Sequence, residues 1–157
     1  MRRAIVIVTS TRAAAGDYVD RAGPVISSWL AEHAFDVAPV VLVADGPDVA
    51  AALAAAVASS PSLIVTTGGT GVGVGDGTAD ATSELLEKPL PGFSEELRRR
   101  GVAVSPFALI SRGVAGIVGS TLVVNFPGST GGVRDGLQLL GEVVDHVLDQ
   151  LAGGDHG

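Results

Sequence analysis

Four short runs of mostly β-branched residues constrain this chain more than anything else in it: AIVIV (4–8), VAPVVLV (37–43), LIVTT (63–67) and TLVVNF (121–126). Each is the length of a strand. Their apolarity is nearly continuous rather than alternating, the pattern of strands covered on both faces. Between them lie stretches with helical spacing. The first runs from about Gly23 to Ala34, with Val25, Ile26, Trp29, Leu30 and Ala34 on one stripe. The alanine-rich PDVAAALAAAVAS follows, with proline in its first turn, where its missing N–H does no harm. ADATSELLE and FSEELRRR are separated by the turn-forming KPLPG, and the last helix covers about Gly132 to Leu151. Strand and helix in alternation predict a three-layer α/β/α fold with a mostly parallel sheet. VAVSPF (102–107) is read as an additional strand, an antiparallel edge. With 157 residues and neither repeat nor linker, residues 1–157 are expected to form a single domain.

Composition narrows the function classes. A formal charge of −7 argues against broad binding to nucleic acid or anionic membranes. The only basic run, Arg98-Arg99-Arg100, is read as the solvated end of a helix. No apolar run approaches the roughly 20 residues that span a bilayer. The opening MRRAIVIVTSTR places two arginines before an apolar segment, but that segment is too short for a signal core and is read as the first strand. Without cysteine there is no disulfide framework, thiolate metal site or thiol nucleophile, which fits a cytoplasmic location.

In open α/β sheets ligands bind at the carboxyl ends of the strands. Small, hydroxylated and acidic residues collect there: Thr9-Ser10-Thr11-Arg12, Ala44-Asp45-Gly46, Gly68-Gly69-Thr70-Gly71 with Asp76, and Pro127-Gly128-Ser129-Thr130. The stretch TTGGTGVGVGDGTADAT (66–82) contains six glycines and no lysine, arginine or histidine. It lacks the lysine of a Walker A loop, the glycine spacing of a dinucleotide fingerprint and the serine of a nucleophile elbow. What remains is a set of backbone N–H groups able to hold an anion, beside carboxylates. Carboxylates close to phosphate make sense with Mg²⁺ between them. Taken singly, each residue has a plainer reading. Asp76 and Asp80 suit a turn and a helix cap, and Asp45 before Gly46 a turn. Ser10, Ser111 and Ser129 have no base nearby in sequence and are read as hydrogen-bonding serines. His33, His146 and His156 are read as surface residues.

TTGGTGVGVGDGTADAT resembles the TTGGTG-(four residues)-D-x-T-P-[DE]-A-T motif of the MogA/MoaB family, which includes the G domain of gephyrin. STRAAAGDYVDRAG, VLVADGPDVAAAL, LPGFSEELR and LISRGVAGIVGSTLVVNFPGS are similar to further motifs of that family, in the same order along the chain. Three positions depart from the pattern. Ala22 and Ala79 replace a serine and a proline, and STGGV (129–133) replaces the common S-P-K-A-V, removing a lysine.

The resemblance implies a MogA/MoaB-like fold and a molybdopterin adenylyltransferase of molybdenum cofactor biosynthesis, with ATP and molybdopterin as substrates and Mg²⁺ as cofactor. It assigns catalysis and metal binding to Asp45 and Asp76. It assigns phosphate binding to Ser10, Gly68, Gly69, Thr70 and Gly71, and the pterin pocket to Asp20, Ser111, Pro127, Gly128 and Ser129. It implies a homotrimer, with hexamers in some members, and transient contact with the molybdate-inserting enzyme; the apolar GVAGIVG segment is a candidate interface. Two other functions are compatible with the family: a MoaB-like molybdopterin carrier without turnover, and a clustering module like the gephyrin G domain.

Overall fold

The computed structural model describes residues 1–154, so His156 lies outside the described residues. In chain order it runs through β1 (Arg2–Thr9), α1 (Thr11–Ala14), α2 (Ala22–Glu32), β2 (Phe35–Val37), β3 (Val41–Val43), α3 (Pro47–Ala58) and β4 (Leu63–Thr67). It continues through α4 (Thr78–Leu85), β5 (Lys88–Pro89), α5 (Pro91–Val102), a 3-10 turn (Pro106–Ile110), β6 (Ala115–Val118), β7 (Thr121–Phe126) and α6 (Thr130–Leu151).

Successive side chains of a strand point to opposite faces, and the central strands feed two cores in this way. Ala4, Val6 and Val8 of β1 join Leu63 and Val65 of β4 and Leu122, Val124 and Phe126 of β7 on one face. Ile5, Ile7, Ile64 and Val123 face the other side. Helices α2, α5 and α6 cover the first face with Ile26, Leu30, Leu97, Leu137 and Leu140. Helix α3 covers the second with Val49, Leu53 and Ala56, while α4 adds the half-buried Ala81 and Leu85. Ile26 and Leu30 are fully buried, and the burial of each contributes about 1.5–3 kcal/mol.

The sheet order is β2-β1-β4-β7-β6-β5, with β3 also pairing β1. Strands β1, β2, β3, β4 and β7 are mutually parallel, whereas β5 and β6 run antiparallel at the far edge. The chain leaves β1 toward β2 and β3, then crosses back to β4 on the other side of β1. That reversal opens a crevice at the carboxyl ends of β1 and β4, where such sheets bind ligands.

Four expectations need correction. The run 37–43 is not one strand buried on both faces: β2 pairs with Arg2–Ala4 and β3 with Ile7–Thr9. Pro39, which has no N–H to donate, lies in the break, and Leu42 is 38% exposed. VAVSPF is not a strand either. Helix α5 continues through Val102, and Pro106 opens the 3-10 turn, with the Ser105 hydroxyl accepting from the Phe107 N–H at 3.3 Å. The antiparallel edge is made by β6 and β5 instead. The apolar GVAGIVG segment is thus committed to the sheet, with Ala115, Gly116 and Ile117 buried, and is not a free interface loop. The basic run also differs from expectation. It does lie toward the end of α5, but Arg98 donates to the Ser111 and Gly113 carbonyls at 3.2 and 3.1 Å, and Arg100 bridges Glu96 and Glu142.

Candidate active site

Strand β4 ends beside β7, with Thr67 opposite Phe126. The Gly68 N–H donates to the Phe126 carbonyl at 3.2 Å, and the Thr67 hydroxyl donates to the Pro127 carbonyl at 2.9 Å. The glycine loop and the Pro127-Gly128-Ser129 turn are therefore side by side. Gly68 and Gly69 adopt φ of +90° and +68°, a left-handed backbone that favours glycine. A Cβ at Gly68 would overlap the Thr9 carbonyl, and one at Gly69 would overlap the Thr78 hydroxyl. The buried Thr78 hydroxyl in turn donates to Thr9 Oγ1 at 3.2 Å. The paired glycines thus let the ends of β1 and β4 and the start of α4 meet in one place.

Beyond Gly71 the loop folds around its own carboxylate. Asp76 Oδ2 accepts from the Gly73 N–H at 2.9 Å, and a Cβ at Gly71 or Gly73 would come within 2.8 or 2.9 Å of that oxygen. A cation does reach the loop, from elsewhere in the chain. Arg112 donates through Nε to the Gly71 carbonyl at 2.9 Å and through Nη2 to the Asp76 carbonyl at 2.8 Å. Its two Nη groups also grip both oxygens of Asp80 at 2.9 and 3.2 Å. Hydrogen bonding and the charge of Arg112 hold the Asp80 carboxyl below the usual carboxylate range. Asp80 is thus an ion-pair partner and not the helix cap expected from sequence; the residue before α4 is Gly77, with no side-chain cap. Sequence reasoning gave Arg112 no role, although it directly follows Ser111 in the LISRGVAG motif.

Asp45 follows β3, at the neighbouring strand end. Its Oδ2 accepts from the Thr11 hydroxyl at 3.1 Å, and its N–H donates to the same hydroxyl oxygen at 3.1 Å. The Asp45 Cβ lies 3.6 Å from where a Cβ on Gly75 would stand, so Asp45 adjoins the residue preceding Asp76. Each aspartate keeps Oδ1 without a hydrogen-bond partner among the described residues. No group of three or more potential metal ligands occurs among the described residues. The donor set fits Mg²⁺ held by two carboxylates and completed by phosphate oxygens and water, which is how this ion is usually bound beside nucleotides.

Two cavities flank the glycine loop. One, of about 880 Å³, lies in the crevice at the ends of β1 and β4, where Ser10, Asp20, Trp29, Thr67 and Gly68 contribute to its wall. The other, of about 580 Å³, lies between the loop, α5 and the first turn of α6. Thr70, Gly71, Ser111, Pro127, Gly128 and Ser129 line the second. Gly128 and Arg134 line both. Gly69, Asp45 and Asp76 line neither, so the structure sets the two carboxylates outside these cavities, Asp76 on the far part of the loop and Asp45 on the turn after β3.

The serines serve as hydrogen-bonding groups. Ser10 caps α1 by accepting from the Ala13 N–H at 3.2 Å, and Ser129 caps α6 by accepting from the Gly132 N–H at 3.0 Å. The Ser111 hydroxyl lies 3.4 Å from that of Thr70. Asp20 accepts from the Gly23 N–H at 3.1 Å at the start of α2. His33 and His146 are exposed; His33 stacks on Trp29 and His146 contacts Gln150.

The sequence and the fold both have known relatives. Residues 5–146 match the family described as "Probable molybdopterin binding domain". The chain is 32% identical over 152 residues to a molybdopterin adenylyltransferase of Helicobacter pylori, covering 94% of this chain and 86% of that protein. It is 39% identical to a molybdenum cofactor biosynthesis bifunctional protein of Synechococcus elongatus, over 98% of this chain and 49% of the relative. The chain thus spans about half the length of the bifunctional relatives it matches. Among solved structures, the Mog protein of Mycobacterium ulcerans superposes with a TM-score of 0.89 at 46% identity, covering 96% of this chain and 99% of that one. MoaB of Thermus thermophilus gives 0.88 at 36% identity, with full coverage of both chains. The chain belongs to the MogA/MoaB family of molybdopterin-binding domains.

Proposed function

We propose that this protein is a molybdopterin adenylyltransferase, transferring AMP from ATP to molybdopterin in molybdenum cofactor biosynthesis. The observation that carries the reading is the pair of adjoining cavities, which meet at Gly128 and Arg134 beside the glycine loop. A transferase with two phosphate-bearing substrates needs two such spaces and an anion seat between them. The H. pylori relative bears the same activity in its name.

The terminal phosphate of molybdopterin attacks the α-phosphorus of ATP. The new P–O bond forms as the bond to pyrophosphate breaks, and the electron pair leaves with pyrophosphate. The attacking oxygen is already anionic, so no general base is needed and the serines serve only as hydrogen-bonding groups. Positioning and charge neutralisation are what such a transfer requires of the protein. The amides of Gly68 to Gly71 hold phosphate. Arg134 supplies the cation that glycine at 131 and 132 does not. Asp45 and Asp76 hold Mg²⁺, which supplies Lewis-acid neutralisation of phosphate charge when bound. Asp20, Ser111 and the Pro127-Gly128-Ser129 turn shape the pterin pocket. The protein acts in the cytoplasm as a homotrimer and passes its product to a molybdate-inserting enzyme. Among the described residues no helix is long and apolar enough to cross a membrane.

Anaerobic incubation with molybdopterin, ATP and Mg²⁺ tests the reading, run beside Asp45→Ala and Asp76→Ala. Adenylyl-molybdopterin from the wild type, with loss in both variants, is the expected result. Tight molybdopterin binding without product would instead identify a carrier.

A further inference from the structure

One side chain in the smaller cavity is out of place in an apolar wall. Ser94 sits on the first turns of α5, is 4% exposed, and its hydroxyl has no hydrogen-bond partner among the described residues. It lines the cavity of about 580 Å³ together with Leu97, Phe107 and Ile110. Buried hydroxyls are nearly always paired, so an orphan in a cavity wall is a group awaiting a ligand. The position falls on the variable residue of LPGFSEELR, so the motif does not prescribe serine there.

The surroundings indicate what kind of ligand it meets. The cation nearest in sequence, Arg98, already donates to the Ser111 and Gly113 carbonyls. The wall of the same cavity also includes Gly131, Gly132 and Arg134 at the amino end of a 22-residue helix, an environment for anions. Leu97, Phe107, Ala108 and Ile110 give this wall its apolar surface, and the Ser105 and Ser111 hydroxyls in it already bond the Phe107 N–H and Thr70. The neutral Ser94 hydroxyl is left free, which suits a flat ring with a polar edge. We propose that Ser94 is a specificity-determining residue whose hydroxyl bonds the polar edge of a planar nitrogen heterocycle seated in this cavity. Both substrates of the proposed reaction carry such a ring, a pterin in one and a purine in the other.

This inference rests on the adenylyltransferase reading, and the test separates the two. Dissociation constants for ATP and for molybdopterin are measured separately and anaerobically on the wild type, Ser94→Ala and Ser27→Ala, with the melting temperature of each ligand-free protein. Ser27 carries the other unpartnered buried hydroxyl and lines neither of the two cavities flanking the glycine loop, so it controls for simple removal of a buried hydroxyl. Ser94→Ala is expected to weaken one ligand by about five- to twentyfold, identifying which ring enters. Its ligand-free melting temperature stays level or rises, because an unpaired hydroxyl is lost, and Ser27→Ala binds both ligands normally. Unchanged affinities in Ser94→Ala, or a lower ligand-free melting temperature as the only effect, overturn the role of Ser94 alone. A wild type that holds neither ligand overturns both readings.

Discussion

Replacing Asn125 by alanine separates a strut from a ligand contact. Asn125 is 1% exposed on β7 and lines the smaller cavity, where its place in the NFPGS stretch invites a substrate-binding role. Its hydrogen bonds are all internal. Oδ1 accepts from the Val114 N–H at 3.1 Å, while Nδ2 donates to the hydroxyls of Thr66 and Thr82 at 2.9 and 3.1 Å. One side chain thereby ties β7 to β4, to α4 and to the segment entering β6. At about 1 kcal/mol for each of these bonds, alanine is expected to destabilise the fold by about 3 kcal/mol. For a chain of this size that corresponds to a fall in melting temperature of about 6–12 °C. Calorimetry on the ligand-free protein measures it, and binding well below the transition should be weakened only modestly. A melting temperature within about 2 °C of wild type, together with lost binding, would refute the argument and make Asn125 a substrate contact.

Gly69→Ala forces a Cβ into the Thr78 hydroxyl at a φ of +68°, and should destabilise by about 2–4 kcal/mol while weakening ATP binding at least tenfold; urea unfolding and calorimetric titration check both effects. Arg134→Ala should raise the KM of at least one phosphate-bearing substrate by about five- to thirtyfold with a smaller effect on kcat, and steady-state kinetics with both KM values unchanged would remove Arg134 from the site. Hydrogen bonds from Arg99 and then Arg100 hold the Glu96 carboxyl down to about 2, against an ordinary value of 4.5. Its folded value lies below its unfolded one, so its stabilisation is full above about pH 4.5 and fades as pH falls toward about 2. Glu96→Gln should therefore melt slightly below wild type at pH 7, with the gap closing across that acid range. A gap independent of pH would contradict the assignment.

The central strands were legible because Ala4–Val8, Leu63–Thr67 and Thr121–Phe126 carry nearly continuous, mostly β-branched apolarity, the pattern of buried parallel strands. Strand β6 was not legible: AGIV lies between glycines and reads as loop until β7 is present to pair with it. The apparent strand at 102–107 failed because period and composition cannot register that α5 still has a turn to run before Pro106. The position of the candidate site at the strand ends follows from topology. Its internal wiring did not. Arg112 reaches Gly71, Asp76 and Asp80 across more than 30 residues, and Arg98 reaches forward to the segment after the 3-10 turn; neither pairing leaves a local signal. Ser94 is a similar case, since only the cavity reveals that its hydroxyl has nothing to bond.

The central claim is that the α-phosphate of ATP ends on molybdopterin, and isotope position tests it most directly. The protein is incubated anaerobically with Mg²⁺, molybdopterin and ATP labelled on either the α- or the γ-phosphorus, and the pterin is then separated from nucleotide and pyrophosphate. Adenylyl transfer predicts label on the pterin from α-labelled ATP only, with the γ-label leaving in pyrophosphate. Label on the pterin from γ-labelled ATP, or none from either, would contradict it.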